Sequence, residues 1–321
     1  MGPSDIMAWA GSKRSLILGI AVALAGCVAP DVAPLPRPRL PPAQMPAPPL
    51  LVESAESAAA RAYYNQVQQA LLSQGLLRSD GGETDTPFTD RMLADTFVRV
   101  ALYDEFAPGS GGQVARTTPS KLNRWEAPVR VGLRFGASVS ADRRGTDGAR
   151  VASYLAHLSQ VTGHSIRLDD ANPNFFVYIV NEDERRALGP TLNAALPGLN
   201  AATVEGVTNL PRSTYCIVLA QPRGNSGVYT RAFAVVRAEH PDLLRLSCIH
   251  EEIAQGLGLP NDSSLARPSI FNDDEEFALL TRMDEAMLRM LYDPALRPGM
   301  TEAEARPIVN SLARRLLGGE T

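Results

Sequence analysis

The chain has 321 residues, 45% of them hydrophobic, and a formal net charge of −4. That is enough apolar material for one large domain or two small ones, and the mild acidity leaves no basic footprint for a phosphate backbone. No nucleic-acid partner is therefore expected.

Lys13 and Arg14 precede an uncharged apolar run from Leu16 to Ala25 that ends in small residues. This pattern predicts a secretory signal peptide over residues 1–26. At about ten to twelve residues the run is well short of the roughly 20 needed to span hydrocarbon as a helix. Leu24-Ala25-Gly26-Cys27 resembles the lipobox of bacterial lipoproteins. The resemblance implies cleavage before Cys27, acylation of its thiol, and anchoring to a lipid bilayer; ordinary cleavage beside a chance cysteine is the alternative. Val28 in place of an aspartate implies, by the lipoprotein sorting rule, the outer membrane facing the periplasm rather than the inner membrane. Export also places Cys216 and Cys248 in an oxidising compartment, so they are expected to form a disulfide, against the alternative of two buried free thiols.

Residues 27–52 carry the lipidated cysteine and a proline-rich stretch, APDVAPLPRPRLPPAQMPAPP, which reads as a disordered, polyproline-like linker. Residues 53–118 form an N-terminal helical segment. Its first helix carries Ala59, Tyr63, Val67, Leu71 and Leu72 on one stripe, and its second runs from about Thr89, a candidate cap, to Phe106. Glycine, serine and threonine between Pro108 and Pro119 predict a loop or domain boundary. Residues 119–299 form the main domain. Strands are predicted over Pro128 to Phe135, Ile166 to Leu168, Phe175 to Val180, Cys216 to Ala220 and Val228 to Ala238, the last two flanking Gly224-Asn225-Ser226-Gly227. Helices are predicted over Asp147 to His164 and from Asp242 to Leu257, the latter terminated by Gly258. Asp273-Asp274-Glu275-Glu276 is expected to cap a helix from Phe277, and Thr301-Glu302-Ala303-Glu304 matches a capping box for a terminal helix over 300–321 with Arg314 and Arg315 near its end. The whole implies an α+β fold.

The chemistry-bearing stretch is Glu251 to Asp262, EEIAQGLGLPND. It resembles the helix of the metzincin zinc peptidases, H-E-x-x-H-x-x-G-x-x-H/D, in which two imidazoles one turn apart face a zinc and a glycine turns the chain toward a third ligand. Aligned on Gly258, Glu251 stands at the first histidine, Glu252 at the general base, Gln255 at the second histidine and Asn261 at the third ligand, with Asp262 beside it. Pro268-Ser269-Ile270-Phe271 resembles the family's Met-turn, with Ser269 in the turn and Phe271 in place of the methionine. Leu280 to Tyr292 resembles its C-terminal helix, and Arg124-Trp125 the start of its catalytic domain. The chain also looks like an uncharacterised family of proteobacterial lipoproteins. A second alignment, with His250-Glu251 on H-E, puts Ala254 at a ligand position and Gly258 out of step; alanine cannot bind metal, so His250 reads as structural.

The resemblance implies a zincin-like domain, a mixed sheet with an active-site-type helix and a C-terminal helix, stripped of zinc ligands. Glu251 and Gln255, one turn apart, share a helix face. Three readings of them stay open: a hydrogen-bond network in place of the metal, a hard cation such as Ca²⁺ among oxygen donors, or hydrolysis with Glu252 as general base. No cofactor is expected and zinc is not. The expected role is a binding or scaffolding module of the cell envelope, with an envelope protein, a peptide or peptidoglycan as partner; the alternative is an active hydrolase.

Overall fold

A computed structural model describes residues 53–82, 85–109, 112–272 and 274–318. The predicted signal peptide, Cys27 and the proline-rich stretch lie outside the described residues. Among those described, no helix is long and apolar enough to cross a membrane.

Helix α1 (Ala55–Ser73) starts where the Ser54 side chain accepts a hydrogen bond from the Ser57 amide. Its buried stripe is Ser57, Ala60 and Tyr64, one position away from the one expected at Ala59 and Tyr63. The stripe packs on Leu77, Leu244 and Ala278. Helix α2 (Asp90–Ala101) is capped by Thr89 as expected. It goes elsewhere, to the main core beside helix α9. It ends at Ala101 rather than Phe106, because the chain turns into a hairpin of β1 (Tyr103–Gly109) and β2 (Gly112–Pro119). The stretch expected to be a loop is thus the second strand of that hairpin; its threonines suit a strand as well as they suit a loop.

The main sheet takes β3 (Arg124–Trp125), β4 (Val129–Phe135), β5 (Ile166–Leu168), β6 (Phe175–Val180), β7 (Cys216–Pro222) and β8 (Val228–Arg237). β5, β4, β6 and β8 lie side by side and parallel, and β3 adds a short parallel stretch at the start of β8. β7 runs antiparallel along the other flank of β8, from Cys216 opposite Val236 to Pro222 opposite Tyr229. Its outer edge has no strand partner among the described residues.

Helix α3 (Ala141–Thr162) connects β4 to β5; it begins six residues earlier than its apolar stripe suggests, because Ser140 caps a polar, solvated first turn. Three short helices, α4 (Glu182–Arg186), α5 (Gly189–Ala195) and α6 (Ala201–Thr208), connect β6 to β7. Helix α7 (Asp242–Gly258) follows β8, and α8 (Arg282–Leu291) and α9 (Glu302–Leu317) complete the order. The period-two alternation of the strands separates two cores. Ala232, Ala234 and Val236 face the main core with α2, α3, α7, α8 and α9, while Phe233 and Val235 face α5 and α6. This is the expected α+β fold.

The C-terminal capping box at Thr301 and Glu304 is present. The acidic cap before Phe277 is not. Phe277 opens no helix; α8 starts at Arg282, capped by Thr281 with Asp284, and Glu276 instead binds the Arg267 guanidinium at 2.5 and 2.9 Å. An ion pair to an adjacent arginine outcompetes a weak helix-end interaction.

Candidate functional site: an acidic cleft beneath an edge strand

Helix α7 approaches the sheet closely because Gly256 has no side chain: a Cβ there would stand 2.4 Å from the Phe175 ring. The Gly256 carbonyl accepts from the Trp125 indole at 2.9 Å, which locks β3 to the helix. Gly258 ends α7 at φ +131°, where only glycine is at ease, and a Cβ would meet the Asn123 carbonyl oxygen at 2.2 Å. The chain then turns back, so that Asp262 accepts a hydrogen bond from the Gln255 amide at 3.0 Å. Asn261 faces the other way. Its amide donates to the Arg99 carbonyl at 2.8 Å and its backbone N–H to Val100, tying the loop to the end of α2.

The turn at 268–271 supports this loop from behind. Ser269 and the Ile270 amide donate to the Asp284 carboxylate at 2.5 and 3.1 Å, as does the Thr281 amide at 2.8 Å, and the Phe271 carbonyl accepts from the Ser263 amide. Burial holds Asp284 up at about 6, against these hydrogen bonds. Phe271 is fully buried in the main core. The Tyr292 hydroxyl donates to the Leu257 carbonyl at 3.1 Å and steadies the end of α7; burial pushes that phenol above its ordinary range.

A cleft of about 1110 Å³ runs along β7. Its floor carries Glu251, Glu252 and Gln255 from α7, its wall is β7 from Cys216 to Pro222, and Asp262, Asp104, Asp274 and Glu275 stand around it with Lys121 as the one basic side chain of the lining among the described residues. Glu252 belongs to that lining although it is only 3% exposed. Burial, with Glu275 nearby, pushes Tyr215 at the rim up to about 12. Cys216 and Cys248 form the expected disulfide, with Cα atoms 5.8 Å apart, joining the first residue of β7 to α7 one turn before Glu251. Cys216 Sγ lies 3.9 Å from a Glu251 carboxylate oxygen.

His250 is turned away from the cleft. Its ring stacks on Tyr154 at 3.8 Å and its Nδ1 accepts from the Leu280 amide, while burial lowers it to about 3. The floor therefore offers two carboxylates and an amide already committed to Asp262. With no imidazole or thiolate among them and an amide as the third donor, these floor groups lack the nitrogen and sulfur ligands on which zinc sites are built.

Of the motif residues, Glu251, Glu252, Gln255 and Asp262 line one cleft, Gly258 ends the helix that carries the first three, and Asn261 is directed toward α2. What sequence reasoning missed is the rim: Asp104 comes from a hairpin read as helix, and Lys121 and Tyr215 lie outside any motif. It also missed the cover of α4 to α6, whose only written clue was Asn181 and Glu184 at capping-box spacing.

Residues 90–311 match the family described as a protein of unknown function (DUF2927). The chain belongs to that family. The DUF2927 match begins with the first residue of α2 and ends inside α9, so it takes in the whole main sheet, the disulfide and the cleft lining except Leu71, and leaves out α1. No curated protein and no solved structure matches the chain.

Proposed function

We propose that this DUF2927 protein is a lipid-anchored component of the cell envelope, facing the periplasm from the outer membrane, whose folded part is a metzincin-like frame turned into a zinc-free binding module. Its occupant is an extended peptide segment that carries basic side chains, added as a further strand to the outer edge of β7. The observation that carries this reading is the edge of β7, without a strand partner among the described residues, standing over a floor of Glu251, Glu252 and a Gln255–Asp262 hydrogen bond. Backbone N–H and C=O groups along such an edge supply affinity for any extended chain. Among the described residues of the lining, six carboxylates against one lysine favour a cationic one.

Metal analysis of the purified protein, with binding of arginine- and lysine-containing peptides measured with and without a chelator, tests the proposal. Binding unchanged by chelation and weakened by salt supports it; stoichiometric zinc whose removal abolishes binding refutes it. A second reading, peptide hydrolysis with Glu252 as general base, is favoured by the burial of Glu252 within the cleft lining, the setting in which a carboxylate is tuned for proton transfer. Glu252→Gln against the parent protein decides it: equal inertness toward envelope proteins, peptides and peptidoglycan sinks hydrolysis.

A further inference from the structure

The two sulfurs of the disulfide and a carboxylate oxygen of Glu251 all lie within 4.8 Å of one another. As a disulfide the sulfurs carry no thiolate charge and hold no metal. We propose that reduction of the Cys216–Cys248 bond turns this corner of the cleft into a binding site for a thiophilic divalent cation such as zinc, ligated by Cys216 Sγ, Cys248 Sγ and one Glu251 oxygen.

The geometry is nearly in place. In a tetrahedral zinc site, metal–sulfur bonds of about 2.3 Å and metal–oxygen bonds of about 2.0–2.2 Å put neighbouring ligand atoms roughly 3.5–3.8 Å apart. Cys216 Sγ and Glu251 already stand at 3.9 Å. The two sulfurs must separate, and Cys248 Sγ needs to stand at similar range from the Glu251 oxygen, from which it is already within 4.8 Å; side-chain rotation about the Cα–Cβ bonds is the movement this asks for. Cys248 and Glu251 are three residues apart on α7 and share a face, and the alternation of β7 turns Cys216, Val218 and Ala220 toward that helix. α7 and β7 are each held to the sheet by contacts that do not depend on the disulfide. Because Cys216 and Glu251 line the cleft, the fourth coordination position opens onto it, available to water or to a ligand's donor atom. Three protein ligands and one open position are the arrangement of reactive rather than closed zinc sites.

The steps balance. A dithiol, whether a small molecule or a thiol–disulfide oxidoreductase, gives two electrons and two protons to the Cys216–Cys248 bond and becomes a disulfide itself, leaving two thiols. The cation then displaces both thiol protons to solvent as the two metal–sulfur bonds form. Metal uptake here is thus gated by redox state, which sets the proposal apart from the zinc-free binding described for the oxidised protein.

The test is a Co²⁺ titration of the purified full-length protein before and after reduction by a phosphine, which yields the two thiols and a phosphine oxide by consuming one water. The expected result is no binding when oxidised, and when reduced one cobalt per chain with thiolate-to-cobalt charge-transfer absorption that stoichiometric zinc removes. Cys216→Ser and Cys248→Ser each abolish that absorption. Glu251→Gln keeps a sulfur–cobalt band but weakens binding at least about tenfold, the loss typical of removing even a supporting group at a metal site. Circular dichroism follows the fold in parallel. Reduced protein that binds no cobalt, that unfolds on reduction, or that binds equally well as Glu251→Gln overturns the proposal. Loss of peptide binding by the oxidised protein leaves it standing, so the two readings fail separately.

Discussion

Replacing Gly258 by alanine probes the one position on which the cleft floor turns. The residue sits at φ +131°, and holding a side chain in such a region costs on the order of 1–3 kcal/mol. The added methyl would also stand 2.2 Å from the Asn123 carbonyl oxygen and 3.0 Å from Leu291 Cδ2. The first neighbour is backbone beside β3 and cannot swing aside, so overpacking adds about 1–3 kcal/mol more. Gly258→Ala is expected to destabilise the protein by about 2–6 kcal/mol, a large part of the roughly 5–15 kcal/mol that holds most domains folded. Gly145→Ala is the control. Gly145 is an exposed position inside α3 where a Cβ meets nothing within 4 Å, so alanine should stabilise by about 0.5–1 kcal/mol. Urea unfolding followed by circular dichroism reads both as shifts of midpoint at constant slope. A Gly258→Ala protein within about 1 kcal/mol of the parent would refute the close approach of the α7 terminus to β3.

Further expectations concern burial and the cross-link. Asp284 is raised from 3.8 to about 6, so its contribution is fully present below pH 3.8 and lost as pH rises through 6. A shift of that size corresponds to about 3 kcal/mol, and the stability gap between parent and Asp284→Asn should move by that order between pH 3.5 and 6.5, with a flat gap counting against the buried network. His250 works with the opposite sign: lowered from 6.5 to about 3, it adds stability that is present above pH 6.5 and lost as pH falls through 3. Its imidazole resonances should therefore report a neutral ring at pH 5, whereas a midpoint near 6.5 would place the ring in solvent. The disulfide closes a loop of sequence separation 32, for which chain entropy gives about 3–4 kcal/mol. Unfolding midpoints that coincide with and without a reductant would show the bridge to be unformed or without effect.

The strands were legible because the sheet obeys its own period. Phe175 to Val180 and Ile166 to Leu168 were readable to the residue, as β-branched and aromatic runs bounded by polar turns. The α7 motif was legible because helical spacing converts directly into a shared face, and a terminal glycine into a turn. The misreadings came where two local readings compete and tertiary context decides. Tyr103 to Phe106 continue the apolar pattern of α2, yet they leave it to form the first arm of a hairpin with Ala115 to Pro119. Asp274 and Glu276 have the composition of a helix cap, but nothing in the local sequence shows that Arg267 and Arg78 would claim Glu276. α4 to α6 were missed because each is only a turn or two long, too short for a periodicity to register. α5 and α6 hold the sheet through Leu192 and Val207 against Phe233 and Val235, and α4 through the buried Glu182–Arg237 ion pair, whose partners are 55 residues apart. Asn261 is the subtlest case. Spacing put it at a ligand position, and the backbone hydrogen bond to Val100 turned its side chain toward α2, leaving Asp262 to meet Gln255.

Amide hydrogen exchange of β7 in the oxidised full-length protein, measured in chelator with and without an arginine-rich extended peptide, tests the binding proposal most directly. The amides of Ile217 to Gln221 that point away from β8 are expected to gain protection without any metal, and replacement of Glu251 and Glu275 by glutamine to weaken that gain. Protection confined to another surface, or one that appears only when zinc is supplied to the oxidised protein, would contradict it.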